Sequence, residues 1–278
     1  MTVLQWCPTG QFTFLPIHAA GCYDDELAID CAPDYFISSY IPSIGALLAL
    51  DSAATTQSFQ MMAVIQSKEL PSARRELENI RRHVSCEALV ELGVPGVPAR
   101  VEAVASCLSN VSIVHFACHG KQDPWKPLDS WLELHDGPLR ISRIMKEKMP
   151  NGSLAFLCAC ETAMGDQNLP DEAMSIGASL IFSGFQRVIA TMWYVVISIV
   201  PLEINSESVN WARKMMDEDG PTIADTFYEK LFFGAPDGRP ALKPDMTKSA
   251  LALHLAVKKL RSQGVPFRRW VPFIHMGK

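Results

Sequence analysis

Short apolar runs, each bounded by Gly, Pro or polar residues, recur along the chain. The clearest are Met61-Met-Ala-Val-Ile65, Ser112-Ile-Val-His-Phe-Ala-Cys118, Ser153-Leu-Ala-Phe-Leu-Cys-Ala159 and Arg187-Val-Ile-Ala-Thr-Met-Trp193. Runs this short and this apolar read as strands buried on both faces, the pattern of a parallel sheet. Further strands are expected at 4–6, 12–14, 35–41, 89–92, 131–135 and 270–275. Between them lie stretches with apolar residues at three- and four-residue spacing, the mark of amphipathic helices. Helices are expected at 43–53, at 73–83 behind Pro71 and Ser72, and at 99–108. A short one capped by Ser142 runs to Met149, and others span 171–182, 221–232 and 248–263, the last capped by Thr247. Strands alternating with helices of these lengths predict an α/β sandwich around a mostly parallel central sheet. In such sheets, sites form beyond the carboxyl ends of the strands.

Composition narrows the class. With 278 residues the chain suits a single domain over 1–278, and its net charge of −5 offers no basic face for nucleic acid. The longest apolar uncharged run, 188–202, falls short of the roughly 18 residues of a membrane span, so no membrane partner is expected. Signal-peptide features are absent from Met1-Thr-Val-Leu-Gln-Trp-Cys7-Pro8. The 8 Cys are scattered, often inside apolar runs. They read as mostly buried thiols of a reducing, cytoplasmic compartment rather than a disulfide framework.

Candidate chemistry sits in the stretch 111–160, where two buried strands each end in a reactive side chain. The first is followed by His119-Gly120 and the second by Cys160. An imidazole and a thiol leaving neighbouring strands at one edge make a candidate base and nucleophile. Gly120 lets backbone approach a substrate, and its N–H suits an oxyanion. Asp129, Ser130 and Asp166 sit on loops expected to flank the pair, where a carboxylate would line a pocket for a basic side chain. From the residues alone each has a bland alternative: His119 a structural histidine, Cys160 a buried thiol, the loop acids solvated. A rival set is His115, Cys118, His119, Cys158 and Cys160, soft or borderline ligands that zinc would accept. Strand alternation sends Cys118 and His119 to opposite faces, which counts against it.

At these residues the sequence resembles the CHAT domain, a branch of the caspase–separase group of cysteine peptidases. The resemblance rests on His115-Phe-Ala-Cys-His-Gly120, Ser130-x-Leu132-x-Leu134, Asp136-Gly-Pro-Leu139, Leu157-Cys-Ala-Cys-Glu-Thr-Ala-Met-Gly165, Val188-Ile-Ala-Thr-Met-Trp193 and Trp270-Val-Pro-Phe-Ile-His-Met-Gly277. Leu15-Pro-Ile-His-Ala-Ala-Gly21 and the Asp171-Glu172-Ala173 region are similar to fungal members. The resemblance implies a caspase-hemoglobinase-like three-layer fold and a cysteine endopeptidase with a His119–Cys160 dyad. It also implies Gly120 and Cys160 N–H groups at the oxyanion, no cofactor, and a protein or peptide substrate cut in regulated, limited proteolysis. Relatives often carry helical repeats upstream, so an upstream domain or helical-repeat partner is implied, and this chain reads as N-terminally truncated. The segment 194–213 has no counterpart in relatives and is either a genuine insert or an unspliced intron; comparison of transcript with genome decides. The alternatives to an active peptidase are a catalytically silent binding or signalling module and a zinc-binding domain.

Overall fold

The fold is described from a computed structural model, for all residues except 24–29, 49–57, 67–69, 124–125, 159–174, 193–217 and 234–240. The strands are β1 (Thr2–Trp6), β2 (Gly21–Cys22), β3 (Asp30–Cys31), β4 (Phe36–Tyr40), β5 (Met61–Ile65), β6 (Leu89–Leu92) and β7 (Ile113–Ala117). They continue with β8 (Gly120–Lys121), β9 (Trp131–Leu134), β10 (Gly137–Arg140), β11 (Leu154–Leu157), β12 (Arg187–Thr191) and β13 (Phe273–Gly277). The helices are α1 (Ile44–Leu48), α2 (Pro71–His83), α3 (Val101–Leu108), α4 (Ile141–Ile144), α5 (Ile176–Phe182), α6 (Asp219–Leu231), α7 (Ser249–Ser262) and α8 (Phe267–Trp270).

Eight strands form the central sheet in the order β1-β4-β13-β12-β11-β7-β5-β6. Every pairing is parallel except β12 with β13, so the sheet is two parallel blocks joined back to back. The expected α/β fold with a mostly parallel sheet is the fold observed. One face packs Val114, Phe116, Leu157 and Val188 under α3, α4 and α5. The other packs Ile113, Phe156, Cys158 and Ile189 under α2, α6 and α7. The alternation of core membership along β7 is the period-two alternation of a strand buried on both faces.

Several local expectations are corrected. Residues 12–14 belong to a 3-10 turn, Gly10–Phe14, not a strand. Ser142 lies inside α4 rather than capping it. Asp245, not Thr247, supplies the cap before α7: its carboxylate accepts from the Thr247 N–H at 3.2 Å. The last strand starts at Phe273 because Phe267–Trp270 is helical, and it runs antiparallel to β12. Among the described cysteines only Cys31, Cys118 and Cys158 are buried, while Cys7, Cys22 and Cys86 are exposed. The isolated thiol in a polar segment follows its segment to the surface. No described helix is long and apolar enough to cross a membrane.

The turn after β6 depends on one glycine. Gly93 has φ +85, and a Cβ there would lie 1.8 Å from the Ile65 carbonyl oxygen at the end of β5. Backbone strain of this kind alone costs about 1–3 kcal/mol, and the clash adds to it. Gly93→Ala is therefore expected to lower the unfolding free energy by at least that amount, read as a lower urea midpoint with the slope unchanged.

Two histidines are built into the core as neutral rings. His18 Nε2–H donates to the Val271 carbonyl at 2.9 Å, and Nδ1 accepts from the Tyr40 hydroxyl at 2.8 Å. The same hydroxyl oxygen accepts from the His18 backbone N–H, which fixes its direction. His275 sits between two serines. Ser39 Oγ donates to the Gly277 carbonyl, so it accepts from His275 Nδ1–H, and Nε2 accepts from Ser249. Burial pushes His18 down to about 4, the Val271 carbonyl opposing. Burial, then the Arg187 charge, pushes His275 down to about 3.

Candidate active site

The site is prepared by the register of two adjacent strands. β7 and β11 pair in parallel, Ile113 with Leu154, Val114 with Ala155, His115 with Phe156 and Phe116 with Leu157. Each partner is 41 positions further along the chain, which is also the separation of His119 from Cys160. The Cys158 N–H donates to the Phe116 carbonyl at 2.9 Å, the bond that closes the Phe116–Leu157 pair. Cys160 and Asp166 lie outside the described residues.

His119 follows β7 by two residues and is half-buried. Cys118, just before it, is wholly buried in the core under α3 to α5. Burial, then the charges of Glu76 and Glu133, push its thiol far up, so it stays protonated and inert. His119 continues the opposite series, that of Ile113 and Ala117, the series whose core also holds Cys158. Gly120 opens β8, and β8 pairs antiparallel with β9, Gly120 with Leu132 and Lys121 with Trp131.

The flanking loop residues separate by role. Asp129 ends the 3-10 turn Pro127–Asp129 and is half-buried. Ser130 is wholly buried, and its Oγ accepts from the Asp123 N–H at 2.9 Å, so the hydroxyl braces the loop from inside. Asp136 accepts from the Val101 N–H and caps α3, a role the sequence reading did not assign.

Beneath the strand ends lies a polar group that the sequence reading missed. His115 is fully buried with Nε2 2.9 Å from a Glu76 carboxylate oxygen and Nδ1 3.0 Å from the Tyr228 hydroxyl. Its ring stacks on Phe156 at 4.8 Å between centroids. The signal was present in the sequence. Ala73, Glu76, Leu77 and Ile80 share the buried face of α2, so Glu76 is an acid on an apolar stripe. The first turn of α6 presses on the same place. A Cβ on Gly220 would fall 2.6 Å from both Cys158 Sγ and Glu76 Oε1. Asp219 beside it is buried and held by two Arg269 nitrogens, Nε at 2.9 Å and Nη2 at 2.7 Å.

The zinc set is not assembled among the described residues. Both ring nitrogens of His115 face Glu76 and Tyr228, while Cys118 packs in the core on the other side of the sheet. No three described His, Cys, Asp or Glu side chains are placed to hold a metal ion.

Comparison with known proteins bears on the whole arrangement. The family model described as the CHAT domain matches residues 1–200. Among solved structures, the Saccharomyces cerevisiae separase–securin complex at 3.0 Å matches with a TM-score of 0.50 and 16% identity, over 88% of this chain and 14% of that one. A second structure of the same complex, at 2.6 Å, gives a TM-score of 0.49, 16% identity, and 87% and 14% coverage. This chain thus spans about one seventh of the separase chain, and at this identity the likeness is one of fold, the caspase-like α/β fold. No curated protein matches. The family match covers well over half of the 278 residues: the chain belongs to the CHAT domain family.

Proposed function

We propose that the chain is a cysteine endopeptidase in which His119 and Cys160 form the catalytic dyad. One observation carries this reading: the β7–β11 register has the offset that separates the two residues in sequence. Three further pairs at that offset lead from Phe116–Leu157 to His119 and Cys160, and in this reading the two meet on one rim. Membership of the CHAT family and the fold shared with separase support it.

The chemistry follows from the groups. Cys160 Sγ, as thiolate, attacks the scissile carbonyl carbon. The negative charge moves to the carbonyl oxygen, held by the Gly120 and Cys160 N–H groups. Collapse breaks the C–N bond, and the leaving amine takes its proton from the His119 imidazolium. Water, giving its proton to His119, then hydrolyses the thioester and restores the thiol. In this reading Asp129 and Asp166 are the acids that receive a basic substrate side chain, and no metal or organic cofactor enters. The nucleophile needs a reducing compartment such as the cytoplasm. The substrate is a protein or peptide, and an upstream domain or helical-repeat partner presents it. Separase was crystallised with securin, which makes a protein partner a reasonable counterpart here.

A biotinylated peptidyl acyloxymethyl ketone tests the reading. The folded protein is expected to be labelled at one site, with labelling lost in Cys160→Ala and His119→Ala and kept in Cys158→Ala. Folded protein that takes up no label, or takes it up equally in Cys160→Ala, overturns it.

A further inference from the structure

We propose that Glu133 is a positioning residue for His119, its carboxylate orienting the imidazole at the rim for proton transfer to the leaving amine. This rests on the dyad reading above.

The argument starts from the β8–β9 ladder. Gly120 pairs with Leu132 and Lys121 with Trp131, and the Glu133 N–H donates to the His119 carbonyl at 2.8 Å, so Glu133 lies directly across from His119. Residues directly opposite in an antiparallel pair share a face, with Cβ atoms about 5 Å apart. The neighbouring pair shows which face. Lys121 Nζ sits 5.1 Å over the Trp131 ring, and Leu132 and Leu134 point the other way into the core. Trp131 then fixes the carboxylate: its indole N–H donates to Glu133 Oε2 at 2.9 Å, which holds the acid on the His119 side of the ladder. His119, Glu133, Trp131 and Lys121 therefore form one surface at the rim.

A carboxylate on that surface orients the imidazole toward the site edge, where an oriented ring exchanges a proton with its partner cysteine and delivers it to the leaving amine. Other ionisable groups on the packed elements are placed differently. Lys121 is one pair further out and turned over the indole. Cys118 is on the opposite face, Cys158 and the Glu76–His115 pair lie deeper on the sheet, and Asp123 is in the loop beyond β8. Glu133 is the carboxylate that strand pairing sets beside His119.

The test is the rate at which iodoacetamide alkylates Cys160, read by peptide mass spectrometry as a function of pH. Glu133→Gln is expected to slow alkylation by about three- to tenfold at pH 7 and to match the parent protein above about pH 9.5, where the thiol ionises unaided. Glu133→Asp should restore most of the rate. Trp131→Phe, which releases the carboxylate without removing it, should give a smaller slowing of the same kind. A bracing role alone would lower the melting temperature and leave the pH profile in place. Parent-like alkylation at pH 7 in folded Glu133→Gln, while His119→Ala is slow, overturns the proposal and leaves the dyad standing. Should Glu133→Gln not fold, parent-like rates in both Glu133→Asp and Trp131→Phe overturn it. If His119→Ala itself alkylates at the parent rate, the dyad has failed and Glu133 has nothing to position.

Discussion

Glu76→Ala is expected to destabilise the protein by about 3–5 kcal/mol, a large share of the 5–15 kcal/mol that holds a typical domain together. Glu76 is 3% exposed and His115 0%. With the carboxylate gone, the His115 Nε2–H has no acceptor, and water cannot reach it without opening the sheet face. The loss extends to Tyr228, whose hydroxyl completes the chain of hydrogen bonds at 3.0 Å. Its phenol stays protonated, because burial, then the charges of Glu76 and Cys158, push it far up. Removing one partner of a buried polar pair is the damaging change, whereas removing both is not. The double variant Glu76→Leu/His115→Leu should therefore recover most of the loss, and Glu76→Gln, which keeps an acceptor, should lose less than Glu76→Ala. Urea unfolding at pH 7 measures all three. A loss under about 1 kcal/mol in Glu76→Ala would show that the trio is not needed for stability.

Acid is expected to destabilise the protein well before its carboxylates protonate. His18 and His275 are held down to about 4 and about 3, below the ordinary 6.5. The unfolded chain then binds protons that the folded chain refuses. The stability these rings contribute is complete above about pH 6.5 and declines as pH falls below it. By pH 5 the loss is about 2 kcal/mol for each ring. Below pH 4 the His18 contribution levels off while that of His275 continues down to about 3. His254 on α7, lowered by burial and then by Lys258 and Arg261, acts in the same direction. Urea unfolding at pH 7.5, 6 and 5 gives the slope directly. His18→Gln, which keeps a donor toward the Val271 carbonyl, is expected to remove about half of it. A stability unchanged between pH 7.5 and 5 would rule out neutral burial of both rings.

Much of the fold was legible because buried parallel strands are short and nearly continuous in apolar residues. Met61–Ile65, Leu89–Leu92 and Arg187–Thr191 lie where their runs predicted them. Local signals failed where a side chain had two uses. Thr247 and Ser142 look like caps, but Asp245 and the helix turn itself took those roles. The aromatic pair Phe12 and Phe14 suggested a strand, yet Gly10, with φ +55, turns the chain into a 3-10 turn. At the candidate site, His119 was singled out by its position after a buried strand, and it does lie two residues past β7. Cys160 and Asp166 lie outside the described residues, and Ser130, expected at the rim, turned inward.

The sequence alone determined the alternation of strand and helix, the two-faced burial of the sheet, and the reactive residues at the ends of two runs, because periodicity and residue type act locally. Which strand lies beside which was a tertiary matter. The placement of β13 antiparallel beside β12, the 41-residue register of β7 with β11, the Glu76–His115–Tyr228 chain and the pairing of Glu133 with His119 all join residues far apart in sequence. Such contacts form only when whole elements pack, since a buried donor or carboxylate must find its partner wherever the fold provides one.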